Sequence, residues 1–196
     1  MTATSAPLGL VPVFHPSGLS RPQKFNDAID ATVTQLIYKG TPVQLTAAGL
    51  IVPVTDFDWD AAGDDIIGVF DGIEYTDNDG RRRVSNHWYG PTTVFSPADM
   101  WVYVWTDPDI VYQAQANGPV PATALGSQFN LASNGGNNVT GLSSAQLLAT
   151  PVAAGSQGLF RAVNLDPRID NAWGDAFTML QVQIAASEWV ANKVGI

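Results

Sequence analysis

Residues 100–117 read MWVYVWTDPDIVYQAQAN, and this stretch decides the predicted fold. Between positions 101 and 105, three aromatic residues alternate with two valines. Because alternate side chains of an extended strand point to opposite faces, both faces of this strand are apolar. Such a strand lies between two layers, or has its own core on one face and a neighbouring subunit on the other.

The residues that follow predict a turn and a second strand. Pro108 is preset for the first central position of a type I turn, and Asp107 before it suits an Asx turn. Residues 111–116 then alternate between a valine–glutamine face and a tyrosine–alanine face. The pattern predicts a long antiparallel hairpin at the centre of an all-β body. A second hairpin is predicted at Asp77–Gly80, where Asp-Gly suits a type I′ turn.

The composition predicts few helices and a surface that is partly covered. The 196 residues are 45% hydrophobic but only 14% charged, against about 25% in ordinary soluble domains. Glycine and proline occur 18 and 13 times, whereas the helix formers Glu and Lys are rare. We therefore expect an antiparallel β-barrel or sandwich with an extended N-terminal arm and few short helices.

Charge and residue usage exclude several classes of function. The net charge of −9 argues against a nucleic-acid surface, because binding phosphates depends on clustered Lys and Arg. The chain has no cysteine, so it has no disulfide framework. No run of about 18 apolar residues occurs, and the N-terminus lacks the pattern of a signal peptide. We expect neither a nucleic-acid nor a membrane partner.

Two regions are predicted: residues 1–32 as an extended arm and residues 33–196 as one β domain. The arm is rich in proline, with a short helix predicted at residues 25–31. Its apolar residues, which include Leu10, Val13 and Phe14, are unusual for a solvated linker. The arm should therefore lie along its own domain or a neighbouring subunit. Within the β domain, residues 118–158 predict a long irregular insertion.

The sequence offers few groups for catalysis or metal binding. Tyr75–Asn86 resembles a calcium loop around Gly80, but Tyr75 and Asn86 stand where carboxylates are needed. The acidic stretch 56–65 is interpreted as a solvated loop. His15 and His87 are the only histidines, and neither position suggests a catalytic triad. We expect no catalytic residue, no cofactor and no metal ion.

The tryptophans leave two interpretations open. Trp59, Trp88, Trp173 and Trp189 could stack on sugar rings, which would make the chain a carbohydrate-binding β-sandwich module. Trp and Tyr are also common in cores and at protein interfaces, where they provide large contact area at low conformational cost. The interface interpretation is favoured, and the carbohydrate-binding module is kept as the alternative.

Several segments resemble the head decoration, or cement, proteins of tailed bacteriophages. The likeness begins with Lys39-Gly-Thr-Pro-Val, Gly49-Leu-Ile-Val-Pro-Val and Asp65-Ile-Ile-Gly-Val-Phe, which are similar to the opening barrel module of these proteins. Further similar segments are Phe70-Asp-Gly-Ile-Glu-Tyr, Gly80-Arg-Arg-Arg-Val-Ser-Asn-His-Trp, Asp107-Pro-Asp-Ile-Val-Tyr-Gln-Ala-Gln and Asn171-Ala-Trp-Gly-Asp-Ala-Phe-Thr. The likeness covers about residues 36–185 and leaves the arm unmatched.

This resemblance implies a non-enzymatic protein that binds the outer surface of an assembled phage head. Its partners would be the major capsid protein and its own copies in a homotrimer. It would be made in the host cytoplasm and reside on the virion. Deleting residues 1–24 is expected to leave a folded body that attaches less well. The candidate interface residues are Leu10, Val13, Phe14, Trp59, Trp88, Trp101, Tyr103, Trp105 and Trp173.

Overall fold

The structure is a computed structural model that describes residues 4–18, 20–29, 32–58, 65–90 and 99–190. This part of the chain is all-β, as predicted, with one 3₁₀ turn at Ala122–Ala124. Its strands are β1 (Val11–Phe14), β2 (Gln23–Asn26), β3 (Ile37–Tyr38), β4 (Pro42–Leu45), β5 (Ile51–Pro53), β6 (Gly68–Thr76), β7 (Arg82–Ser85), β8 (His87–Trp88), β9 (Trp101–Trp105), β10 (Val111–Gln115), β11 (Gln128–Phe129), β12 (Leu131–Ser133), β13 (Gly136–Asn137), β14 (Leu142–Ser143), β15 (Gln146–Leu147), β16 (Phe160–Leu165) and β17 (Met179–Ile184).

Two antiparallel sheets form the body. The first sheet has the order β1-β10-β17-β16-β11, and the second has the order β2-β9-β6-β4-β5 with β7 also paired to β6. Two-stranded ladders join β3 to β8, β12 to β15 and β13 to β14. The described strands close no barrel, so the arrangement is sandwich-like. The predicted class, an antiparallel barrel or sandwich, is confirmed.

The predicted central hairpin is wrong, because β9 and β10 belong to different sheets. The turn between them forms as expected: the Ile110 N–H donates to the Asp107 carbonyl at 3.3 Å. β9 pairs with β2 and β6, and β10 pairs with β1 and β17, so neither has an edge left for the other. The connection is an arch between layers, and the Tyr112 hydroxyl donates across it to the Trp105 carbonyl at 3.1 Å.

Each sheet has its own hydrophobic core. The first core lies against the first sheet and includes Tyr112, Phe129, Phe160, Leu180 and Val182. The second core lies against the second sheet and includes Ile37, Phe70, Trp88, Val102 and Val104. β6 contributes to both, because Val69 packs into the first core and its neighbour Phe70 into the second. Alternation along β6 therefore places this strand between the two cores.

β9 packs against a hydrophobic core on both faces at one end only. Val102 and Val104 are fully buried in the second core, and Trp105 on the opposite face packs against the first core. Trp101 and Tyr103, which share the face of Trp105, are half-buried. The alternating pattern thus predicted the valine face correctly, and the aromatic face correctly only near Trp105.

The N-terminal arm contributes one edge strand to each sheet. β1 pairs with β10 in the first sheet, and β2 pairs with β9 in the second. Between the alternatives left open by the sequence, the arm therefore lies along its own domain. The predicted helix at residues 25–31 is wrong over residues 25–29, because Phe25 is paired with Val102 as part of β2 and residues 27–29 form no helix. Residues 30 and 31 lie outside the described part of the chain.

The hairpin at Asp77–Gly80 is confirmed, with a different turn. The Gly80 N–H donates to the Asp77 carbonyl at 2.9 Å, and Gly80 has a φ of 76°. Asn78 and Asp79 do not have positive φ angles, which a type I′ turn requires. The glycine thus follows the turn as a left-handed residue, as in three-residue hairpin loops.

Residues 118–158 are folded over the first core. β11 joins the first sheet, and Leu131 and Leu147 of the paired strands β12 and β15 are buried in the first core. The tip of the insertion reaches the other core. Its β13–β14 ladder lies on the Tyr38 ring at Gly136, and the Lys39 N–H is 3.0 Å from the Gly141 carbonyl.

Candidate interaction surface

Five side chains form a cluster, here called the aromatic platform, on the solvent face of the second sheet: Lys24, Glu74, Arg82, Trp101 and Tyr103. Glu74 pairs with Trp101, and Lys24 pairs with Tyr103, so these four side chains lie on one face of the sheet. The ammonium of Lys24 lies 3.2 Å from the centre of the Trp101 ring, and the guanidinium carbon of Arg82 lies 3.8 Å from it. Both distances are well within the range of a cation–π interaction.

Hydrogen bonds hold the platform in place. Arg82 Nε donates to Glu74 Oε1 at 2.7 Å, and the Tyr103 hydroxyl donates to Glu74 Oε2 at 3.0 Å. Arg82 Nη1 also donates to the Asp99 carbonyl at 2.7 Å. The hydrogen bond from Arg82 lowers the pKa of Glu74, and burial followed by the bond to Glu74 raises the pKa of Tyr103. At neutral pH, Glu74 is therefore ionised and Tyr103 is neutral, as the hydrogen bond between them requires.

Both faces of the Trp101 ring are covered. Lys24 belongs to β2 and Arg82 to β7, and these strands lie on opposite sides of β9 in the sheet, so the two cations approach the Trp101 ring from opposite sides. A sugar that stacked on this ring would have to displace one of them. The accessible parts of the platform are therefore the ring edge of Trp101, Tyr103 and the two cationic side chains.

A second feature, the arm strip, lies along β1. Its members are the exposed apolar side chains Leu8, Val11, Val13 and Phe14, of which Phe14 is 59% exposed. Beside the strip is a pocket of about 120 Å³, here called the arm pocket. Its lining includes Leu8, Leu10, Val11 and Pro12 from the arm, Lys39, Gly40, Val69, Phe70 and Asp71, and Trp105 and Leu142. Among these residues, Lys39 Nζ and Asp71 Oδ1 form an ion pair at 2.7 Å.

The structure separates the predicted interface residues. Val13 and Phe14 are exposed, and Trp101 and Tyr103 are half-buried on the platform. Leu10 is 1% exposed and packs in the first core, so it adds almost nothing to the open surface and instead forms part of the wall of the arm pocket.

The remaining tryptophans are distributed among the cores and the surface. Trp88 is 1% exposed, and its Nε1 donates to the Val33 carbonyl, so it cannot stack on a sugar. Trp105 and Trp173 are half-buried against the first core. Trp189 is 50% exposed, with its Nε1 bound to the Ile67 carbonyl. Trp59 lies outside the described residues.

Sequence reasoning missed one Ser-His-Asp array. His15 Nε2 lies 3.0 Å from Asp107 Oδ2, and Ser17 Oγ lies 2.7 Å from His15 Nδ1. Ser17 is on an exposed turn, where water would compete for any developing oxyanion. The Gly18 N–H, which could stabilise an oxyanion, is bound to the His15 carbonyl. The array is therefore best explained as the attachment of the arm to the arch at Asp107.

The described residues contain no group of three or more His, Asp or Glu side chains arranged to hold a metal ion. In the same residues, no helix has both the length and the apolar character needed to cross a membrane. Comparisons of the chain with protein-family models, curated proteins and solved structures gave no match. The geometry of these surfaces and the resemblance noted in the sequence are therefore the guides to what the chain binds.

The sequence contained weak signals for the platform and none for the pocket. Trp101 and Tyr103 are candidates because they alternate with valines, but nothing in the local sequence marks Arg82 as their neighbour. Its proximity to Trp101 depends on the pairing of β6 with both β7 and β9. The ion pair of Lys39 with Asp71 likewise joins residues that only the fold brings together.

Proposed function

We propose that this chain is a non-enzymatic capsid decoration protein. It binds the outer surface of an assembled phage head and stabilises the contacts between major capsid protein subunits. A protein that binds only the assembled lattice stabilises that lattice by its binding free energy at each site, through mass action. The chain is made in the host cytoplasm and resides on the virion.

The observation that carries this proposal is the aromatic platform. Trp, Tyr and Arg are the residues enriched in the energetic hot spots of protein interfaces. In the platform, hydrogen bonds hold Arg82 and Tyr103, and Trp101 is held by its contacts with Lys24 and Arg82, before any partner arrives. This order reduces the entropy lost on binding. Val84 lies on β7 opposite Glu74 of β6, and its apolar side chain, which is 79% exposed, adds to this surface.

The composition supports the same assignment. A chain with 14% charged residues and an exposed arm strip has more apolar surface than its own fold covers. A net charge of −9 suits a position outside the shell, away from packaged DNA. The chain does carry an aromatic surface as a carbohydrate-binding module would, but the two cations on Trp101 obstruct the stacking face.

The test is the binding of the purified chain to undecorated heads assembled from the cognate major capsid protein. Occupancy is measured by co-sedimentation over a range of protein concentrations. Trp101→Ala removes the centre of the platform and should weaken binding about 30-fold, which corresponds to about 2 kcal/mol for a hot-spot residue. Leu125→Ala is the matched control, because Leu125 is 51% exposed and lies in the insertion, away from the platform.

Circular dichroism and thermal unfolding must show that both variants fold like the wild type. Failure of the wild type to bind heads would contradict the proposed function. Equal binding by the Trp101 and Leu125 variants would show that the platform is not the contact. Binding of the wild type to a glycan array, lost in Trp101→Ala, would favour the carbohydrate-binding module.

A further inference from the structure

Ile169 is the most exposed large apolar side chain of the described residues, at 101% of its reference area. The loop that presents it is held by several hydrogen bonds. Asn171 Nδ2 donates to the carbonyls of Asp166 and Met179 at 2.8 and 2.9 Å, and the Arg168 N–H donates to Asp166 Oδ1 at 3.3 Å. Ile169 is therefore a protruding residue on a fixed loop.

A single exposed isoleucine is ordinary on a protein surface. What distinguishes this one is its pair of sequence neighbours, the cation Arg168 and the anion Asp170. The Arg168 side chain is 49% exposed, and its Nε lies 3.3 Å from Asp166 Oδ1 in an ion pair within the loop. Any site that received Ile169 would have to accommodate both charges. It would need an apolar cavity with an anion and a cation beside it.

The arm pocket has those features. Its walls are mostly apolar, and its volume of about 120 Å³ is somewhat smaller than that of an engineered apolar cavity of about 150 Å³ that binds benzene. This is the scale of one aliphatic side chain rather than of a metabolite or cofactor. Its lining also includes the Lys39–Asp71 ion pair, and the Lys39 side chain is 48% exposed.

We propose that Ile169 of one copy inserts into the arm pocket of a second copy. The Arg168–Asp166 ion pair of one copy then meets the Lys39–Asp71 ion pair of the other, with Arg168 facing Asp71 and Asp170 facing Lys39, so that charges of opposite sign meet across the contact. The exposed Leu8 and Val11 at the pocket extend the apolar part of the contact beyond the isoleucine. This inference goes beyond the proposed function, because it concerns sister copies and not the capsid.

The contact joins two different surfaces, so it is heterologous. Each copy both donates an Ile169 and offers a pocket, and repetition of the contact gives a ring if the rotation closes. Because the two surfaces are separate, variants can remove one surface and leave the other intact.

The experiment is sedimentation velocity on the full chain at concentrations up to about 1 mM, a range that detects weak association. Ile169→Asp removes the protruding side chain, and Leu142→Trp fills the pocket. Each variant alone should remain at the monomer mass of 20.8 kDa, whereas the wild type should form larger species. Val139→Asp is the matched control, because Val139 is 93% exposed on another loop, and it should associate like the wild type.

An equimolar mixture of the Ile169 and Leu142 variants provides the decisive measurement. Only one productive contact is then available, between the Ile169 of one variant and the open pocket of the other. The mixture should give a species of two chains and nothing larger. A wild type that stays monomeric, an Ile169→Asp variant that associates like Val139→Asp, or a mixture that stays monomeric would each overturn the inference.

The same variants separate this inference from the proposed function. Loss of self-association with unchanged binding of monomers to heads would support the contact between copies and leave the capsid proposal intact. If Leu142→Trp lost head binding while it kept normal self-association, the pocket would belong to the capsid contact, and the inference would be wrong. Near-ultraviolet circular dichroism checks the packing of each variant.

Discussion

Replacing Leu10 by alanine removes a side chain that the N-terminal arm buries in the first core. Leu10 is 1% exposed, and its N–H donates to the Gly40 carbonyl at 2.9 Å. If the arm is part of the fold, this substitution must destabilise the whole domain. If the arm is an independent appendage, the substitution should have little effect on the free energy of unfolding.

The expected cost follows from the atoms that are lost. Leu10→Ala removes three buried carbon atoms, which at about 0.8 kcal/mol each gives about 2.4 kcal/mol. Incomplete collapse around the cavity adds to this, for a total of about 3–4 kcal/mol. In a chain of this size, 1 kcal/mol shifts Tm by roughly 2–4 °C, so the variant should melt at least about 6 °C below the wild type.

Leu8→Ala is the matched control, two positions away on the same arm. Leu8 is 48% exposed, so its truncation should cost less than about 1 kcal/mol. Both variants are compared by urea unfolding at pH 7.5 with tryptophan fluorescence. Equal midpoints for the two variants would refute the assignment of the arm to the core.

The same reasoning changes the expectation for deletion of residues 1–24. That deletion removes Leu10 and β1 and uncovers the edge of β10, and it also removes part of β2. We therefore expect the truncated chain to lose more stability than Leu10→Ala does, instead of leaving an intact body as the sequence suggested.

Two further predictions concern the region where the insertion meets the second core. Burial lowers the pKa of His87 below its ordinary value, because the imidazolium form is desolvated. Neutral His87 thus contributes stability above about pH 6.5 that is lost as the pH falls. Between pH 7.5 and pH 5.5, the free energy of unfolding in urea should therefore fall more for the wild type than for His87→Gln, and equal falls would contradict this. Gly136→Ala would place a Cβ 2.2 Å from the buried Tyr38 ring and should cost about 1–3 kcal/mol. Gly135→Ala, whose Cβ would lie 3.3 Å from Ser144 Oγ, should cost clearly less, and equal costs would exclude tight packing on Tyr38.

Alternation and turn residues predicted the positions of the strands better than the pairing between them. β9 and β10 occur within a residue of their predicted positions, whereas residues 118–158, which were predicted to be irregular, contain the five short strands β11–β15. The period of two is a local property of the chain, so a single sequence reveals it. Pairing is not local. The arch at Asp107–Ile110 has the same turn residues as a hairpin, and only competition from β2, β6, β1 and β17 decides between them.

The arm shows the same limit. Its apolar residues indicated that it is covered, which is correct for Leu10, but the sequence could not show that it pairs with both sheets. Proline content argued against strands, yet Pro12 lies in β1, at the edge of the first sheet. Edge strands tolerate proline because one side of their backbone needs no partner.

The candidate surfaces were harder to predict than the fold, since each depends on residues far apart in the chain. The platform combines β2, β6, β7 and β9, and the ion pair in the arm pocket joins Lys39 to Asp71. The sequence could show that aromatic residues were in excess. It could not show that two cations would cover Trp101, which is the feature that favours a protein partner over a sugar.

The arm connects the stability of the fold to the proposed contact between copies. Leu8, Leu10, Val11 and Pro12 line the arm pocket, so the pocket exists only while the arm is docked. Leu10→Ala should therefore weaken both stability and self-association, whereas Ile169→Asp should weaken self-association alone, because Ile169 is fully exposed and packs against nothing in its own chain. A Leu10→Ala variant that loses stability but associates normally would place the contact outside the pocket.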